Sequence, residues 1–346
     1  MLSSRSFRKL NRIALLLATL SLLCGCQSVG YYSQSIVGHS KLMLARMPIE
    51  RAIKTVDPQT AEKLRLSKEL KKFSVQELGL PDNTSYTTYV ALERDYPVWV
   101  VTAAPPYSLK PKQWCYFIIG CASYRGYFSR EAATAYANGL ERKGWEVNVG
   151  GAPAYSTLGW FSDPILPSML RTSDVDFAEM LFHELAHQRL YINGESSLNE
   201  AFASLVGEQG AIKWLTAYFP DKLERYLRRQ QALRDFSGLI EQLKSELNRI
   251  YDQSYEDDIK GREKKKAIVT FRKNYESFKL NEWSGKGYFD NWVLQPINNA
   301  RLAAFSTYHT KLPPLEALLR RCGGDLRRLY QRLENNHLLE APYVCR

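Results

Sequence analysis

The stretch from Thr172 to Tyr218 most constrains the fold. Its apolar residues recur at helical spacing and are interrupted only at "NGESS", residues 193 to 197, so two helices joined by a tight turn are predicted. Ser173 stands three residues before Asp176, the arrangement of a helix N-cap. Within the first helix, "HELAH" puts His183 and His187 one turn apart on one face, with Glu184 about 100° round from the first histidine. Two imidazoles so placed can reach one cation, and the carboxylate between them can take a proton from water beside it. Such a five-residue pattern arises by chance in about one chain per hundred of this length, so its context decides. A catalytic zinc site needs a third protein ligand and an open position. Glu200, thirteen residues after His187, is the candidate third ligand, with Glu208 in reserve as a ligand or as a group orienting a histidine. Glu200 also ends "SLNE", a capping box in which it would only satisfy the Ser197 amide. Glu179 shares the His183 face, but carboxylates are common in helix first turns.

The N-terminus predicts export. Arg5, Arg8, Lys9 and Arg12 precede the apolar run at 13 to 23, which is too short to span a bilayer, and small residues follow. "LCGC" at 23 to 26 resembles the lipobox of bacterial lipoproteins, which implies removal of residues 1 to 25 and a lipid on Cys26. The alternative is an ordinary secretory signal with Cys26 a plain thiol. Gln27 and Ser28, with no Asp after the cysteine, favour an outer membrane over an inner one, with the protein facing the periplasm. Cleavage removes four basic and no acidic residues, taking the net charge from +11 to +7. For an exported chain that charge suits a solvated surface or anionic lipid, and nucleic acid is excluded as a partner.

Four further cysteines allow three pairings in an oxidising envelope. Proximity favours Cys115 with Cys121 and Cys322 with Cys345. None has the short spacing of a zinc cluster.

The rest of the chain reads as α+β, mostly helical with a small β-sheet. Helices are expected at about 34–54, 58–78 and 129–143, and strands within 86–102, at 114–128 and at 145–149. Residues 150–170 read as a long loop before the motif helix, a kind that is often functional. A charged helical hairpin is expected at about 221–279, and its "GREKKK" reads as solvent-facing. Composition, 45% hydrophobic and 24% charged, allows a real core, and one domain over 26–346 is the simplest count.

"HELAHQRLYINGESSLNEAFASLVGEQG" resembles the putative aminopeptidase family of bacterial zincin-like proteins. So do "CQSVGYYSQSIVGH", "CYFIIGCASYRGYF", "AYSTLGWFSDPI" and "NNARLAAFSTYH", and the likeness spans nearly the whole mature chain. The resemblance implies a zincin-like fold with the motif helix under a small sheet, a Zn²⁺ cofactor and a peptide or protein substrate. It implies His183, His187 and Glu200 as ligands and Glu184 as base. An oxyanion donor is also required. Tyr308 is the first candidate, beside Tyr124, Arg125 and His309, while Asn298 and Asn299 are candidates for holding substrate backbone. Glu195, Glu208 and Asp163 are the carboxylates available for a free α-amino group. Endopeptidase or peptidoglycan amidase activity uses the same chemistry, and a non-catalytic envelope lipoprotein acting as scaffold or binding module is the alternative from another class.

Overall fold

The structure is a computed structural model. It describes residues 30–116, 120–157, 159–309 and 312–335, without the side chains of 307–309 and 335. Residues 1–25, Cys26 and Cys345 lie outside the described residues. The described chain forms two units divided after Arg46. The first is one helix, α1, over residues 30–44. The sequence predicted a helix from 34 to 54. It stops earlier because the chain turns at Ala45 and Pro48 has no amide hydrogen to extend it.

The second unit opens with β1 (Met47–Pro48) and the short helix α2 (Ile49–Ala52). Helix α3 (Pro58–Leu78) matches the expected span. The Asp57 carboxylate accepts from the Thr60 amide at 2.9 Å, Pro58 occupies the first turn, and Gly79 closes the helix at φ 67°. β2 (Thr88–Tyr89) pairs with β1. β3 (Val98–Ala104), β6 (Arg125–Tyr127) and β7 (Glu146–Ala152) make an antiparallel sheet in the order β6-β3-β7. β4 (Trp114–Tyr116) and β5 (Gly120–Ala122) form a separate ribbon, and Cys115 and Cys121 are directly opposed on it and disulfide-bonded. Cys322 is also disulfide-bonded.

The sheet is covered by α4 (Arg130–Glu141) and by α11 (Asn299–His309). That coverage explains the near-continuous apolar run "VWVVTAA" in its central strand. Gly151 on β7 is required by packing: a Cβ there would lie 2.1 Å from the Tyr96 ring, which in turn meets Trp99 edge-on. After β7 come α5 (Pro167–Leu170), α6 (Asp174–Arg189) and α7 (Ser196–Tyr218), the last two being the expected helix pair. α6 packs chiefly on α7, with α3 and α5 also against it. The sheet therefore reaches the motif helix indirectly, through α11, which packs on both β3 and α7. This differs from the expected motif helix lying under the sheet.

α8 (Pro220–Tyr251) and α9 (Asp257–Glu282) form the predicted charged hairpin. Its outer faces are solvated, but its inner faces build a core around Phe236, whose ring stacks on Phe289 at 4.2 Å. Lys264 of "GREKKK" is buried and pairs with Glu146, while Lys265 and Lys266 are exposed. α10 (Asp290–Leu294), α12 (Leu312–Arg321) and α13 (Leu326–Asn335) complete the unit. Among the described residues, no helix is long and apolar enough to cross a membrane.

Candidate metal centre

The Ser173 hydroxyl accepts from the Asp176 amide at 3.2 Å and starts α6 as predicted. Phe177, Ala178, Leu181, Phe182, Leu185 and Ala186 are fully buried, so α6 is an interior helix and the rotation of its polar residues is fixed by packing. α7 crosses it closely. The residues Glu200, Ala203, Gly207 and Gly210 share one face of α7. A Cβ at Gly207 would sit 2.8 Å from the Glu179 carbonyl oxygen and 3.3 Å from His183 Cβ, and one at Gly210 would sit 2.6 Å from the Phe182 ring. Only glycine lets the helices approach this far. At the turn between them, the Ile192 amide donates to Asn199 Oδ1 at 2.8 Å and Asn199 Nδ2 donates back to the Ile192 carbonyl at 2.7 Å. Asn199 thus fixes the residue next to it, Glu200.

The outcome is a three-atom cluster. His183 Nε2 and His187 Nε2 are 3.2 Å apart, and Glu200 Oε2 lies 3.4 Å from the first and 3.6 Å from the second. Zinc bonds of about 2.0–2.1 Å in a tetrahedron put ligand atoms about 3.3 Å apart. A triangle with the observed edges has its corners about 2 Å from its centre, so these donors fit a tetrahedral zinc with one open position. These three residues are the group able to hold a metal ion among the described residues. Glu200 makes no capping contact: α7 begins at Ser196, and its N-cap, Glu195, has no side-chain capping bond.

Electrostatics agree with a cation site. Burial opposes ionisation of Glu200, but hydrogen bonding to His183 and His187 outweighs it and holds the carboxyl far below its ordinary range. Burial likewise disfavours charge on His183, yet its bond to Glu200 raises its pKa. Burial pushes Glu184 above the usual carboxylate value against the pull of both histidines. His187 Nδ1 is buried with no hydrogen-bond partner among the described residues, so packing holds that ring.

Three of the other carboxylates, Glu208, Glu179 and Asp163, are engaged elsewhere. Glu208, the reserve ligand, is buried against Arg234, which also pairs with Glu316 at 2.9 Å. Glu179 accepts from Tyr226 Oη at 3.0 Å and from Gln230 Nε2 at 3.1 Å, and is tied to α8. Asp163 is fully buried and accepts from the Thr157 amide at 2.9 Å and the Thr157 hydroxyl at 2.7 Å. Burial raises its pKa to about 6, opposed by those hydrogen bonds and assisted by nearby Glu184. Glu195 is exposed and lines an open cleft of about 390 Å³ with Gln113, Cys121, Ser196 and Lys244, one turn of α7 before Glu200.

Of the oxyanion candidates, Tyr308 is in the last turn of α11, and its side chain and that of His309 lie outside the described residues. Arg125 stacks over the Tyr136 ring at 4.8 Å, a packing role. Asn298 donates to the Val147 carbonyl at 2.9 Å, and Asn299 donates to the Pro105 and Pro106 carbonyls at 2.9 Å, so both shape loops. Sequence reasoning missed Tyr191. Burial and the adjacent Glu200 raise its pKa, which keeps the phenol a proton donor. Its place four residues after His187 was the available signal.

A family model described as "Putative aminopeptidase" matches residues 30–342. No curated protein and no solved structure matches the chain.

Proposed function

Because the chain belongs to the "Putative aminopeptidase" family, we propose that it is a zinc-dependent peptidase of zincin-like fold that removes residues from the N-terminus of peptides. The observation that carries this reading is the triangle of His183 Nε2, His187 Nε2 and Glu200 Oε2, with edges of 3.2 to 3.6 Å and Glu184 on the adjoining face of α6. Zinc held there supplies Lewis acidity toward water and the peptide carbonyl. Glu184 takes the proton of the attacking water and delivers it to the leaving amine, a task suited to its raised pKa. A phenol, Tyr308 or Tyr191, donates to the developing oxyanion. Of the three carboxylates open to an α-amino group, Glu208 is committed to Arg234 and Asp163 to Thr157, and Glu195 remains exposed on the cleft. Glu195 is therefore the anchor for the free amine. In this reading the lipid on Cys26 tethers the enzyme to a bacterial envelope membrane, facing the periplasm, and peptides are its substrates.

The test uses the soluble form beginning at Gln27 and its Glu184→Gln variant. Both should bind about one zinc per chain, and the parent alone should release N-terminal residues from a peptide library. Zinc in both with no cleavage by the parent would move the reading to a metal-binding scaffold. Internal cleavage would make it an endopeptidase.

A further inference from the structure

The long loop before the motif helix carries a feature that the metal chemistry does not use. Trp160 is 72% exposed and its neighbour Phe161 is 53% exposed. Two adjacent, largely exposed aromatic side chains offer a small apolar surface that a ligand can bury. The loop is nevertheless built rather than loose. The Trp160 amide donates to the Thr157 carbonyl at 3.0 Å, and the Phe161 amide to the Thr157 hydroxyl oxygen at 3.1 Å. Thr157 is itself held by the buried Asp163 carboxylate.

The loop is also fastened to one side of the motif helix. Gln188 Nε2 donates to Asp163 at 3.4 Å, and a Cβ at Gly159 would rest 3.7 Å from Gln188 Cβ and Cγ. Gln188 is four residues after Glu184 and shares its face, whereas the metal ligands of α6 face α7. The loop that carries the rings is therefore fastened on the side of α6 that bears Glu184. The cleft bearing Glu195 lies at the start of α7 and is lined by neither Gln188 nor Trp160.

We infer that Trp160, with Phe161 beside it, is an apolar subsite for the substrate residue on the leaving-amine side of the scissile bond, so that peptides with a large apolar second residue are preferred. Glu184 protonates the leaving amine, so the chain beyond that amine runs along the Glu184 face and passes the rings. The backbone that carries the rings is already held by Thr157, so contact with a ligand orders little further chain, which suits the pair to recognition. This inference rests on the peptidase reading for its chemistry, but the subsite can be tested by binding alone.

The experiment compares the soluble form with its Trp160→Ala and Trp160→Phe variants. The substrates are alanyl-phenylalanyl-glycyl-glycine and alanyl-seryl-glycyl-glycine, and zinc content and far-UV circular dichroism are followed in parallel. The ratio of kcat/KM for the phenylalanyl over the seryl peptide should fall roughly 10-fold in Trp160→Ala and be largely kept in Trp160→Phe, with zinc and helicity retained. Dissociation constants measured in the Glu184→Gln background should show the same change. An equal loss on both peptides, or an unchanged ratio, overturns the subsite. If the parent cleaves nothing, the peptidase reading fails, and a Trp160-dependent preference for the phenylalanyl peptide in binding still upholds the subsite. A shift of Trp160 emission with anionic vesicles and none with peptide overturns it in favour of a membrane contact.

Discussion

Replacing Gly207 by alanine tests the helix crossing that creates the metal cluster. In an exposed helix interior, alanine in place of glycine stabilises by about 1 kcal/mol. Gly238, exposed in α8 with nothing within 4 Å of a Cβ, is the internal control and should show that gain. At Gly207 the new methyl would lie 2.8 Å from the Glu179 carbonyl oxygen, a backbone atom that cannot rotate aside. Overpacking of this kind costs about 1–3 kcal/mol, which offsets or outweighs the propensity gain. Gly207→Ala should therefore lose the gain and be destabilised by up to about 2 kcal/mol, and the two variants should differ by about 1–3 kcal/mol. Opening the crossing also draws Glu200 away from His183 and His187, and zinc affinity should fall roughly tenfold. Urea unfolding of the metal-free proteins gives the first quantity, and competition against a chromogenic chelator gives the second. Equal stabilisation of both alanine variants, with zinc affinity unchanged, would refute the close-crossing argument.

Glu200→Gln should lower zinc well below one per chain, whereas Glu208→Gln should keep it, because Glu208 answers to Arg234; metal analysis after dialysis separates the two. Asp163 links pH to stability: its folded pKa, about 6, lies above the unfolded value of 3.8, so the native state holds its proton longer. Stability of the metal-free protein should then fall as pH rises from about 4 to about 6, by up to about 3 kcal/mol from this group. Asp163→Asn should flatten that fall between urea midpoints taken at pH 4.5 and pH 7, and a variant keeping the parent's full slope would sink the assignment.

Local signals were the legible ones. Asp57, Pro58 and Gly79 bracket α3 without help from the rest of the chain, and Ser173 with the "HELAH" spacing placed α6 and its histidines. Glu200 was visible but ambiguous, since a capping glutamate and a ligand look alike in sequence. The structure separates them because α7 starts at Ser196 and Asn199 locks the turn to Ile192. The glycines at 207 and 210 were readable as a stripe with Glu200 and Ala203, but their purpose depends on a partner helix. The engagement of Asp163 by Thr157 and Gln188, and of Glu208 by Arg234, is set by tertiary packing, and no periodicity announces it. The early end of α1 was missed because apolar spacing ran on past Pro48.

The two histidines and Glu200 are separated by only four and thirteen residues of chain. Closing a thirteen-residue loop takes about 2 kcal/mol less chain entropy than closing one of a hundred residues. The α6–α7 pair thus has low contact order, whereas β3 must find β7 at greater sequence separations. His183, His187 and Glu200 belong to a part of the chain that low contact order favours to close early. A cation available during folding would meet its complete ligand set while the sheet is still unpaired, and would then serve as a nucleus on which the remaining helices condense.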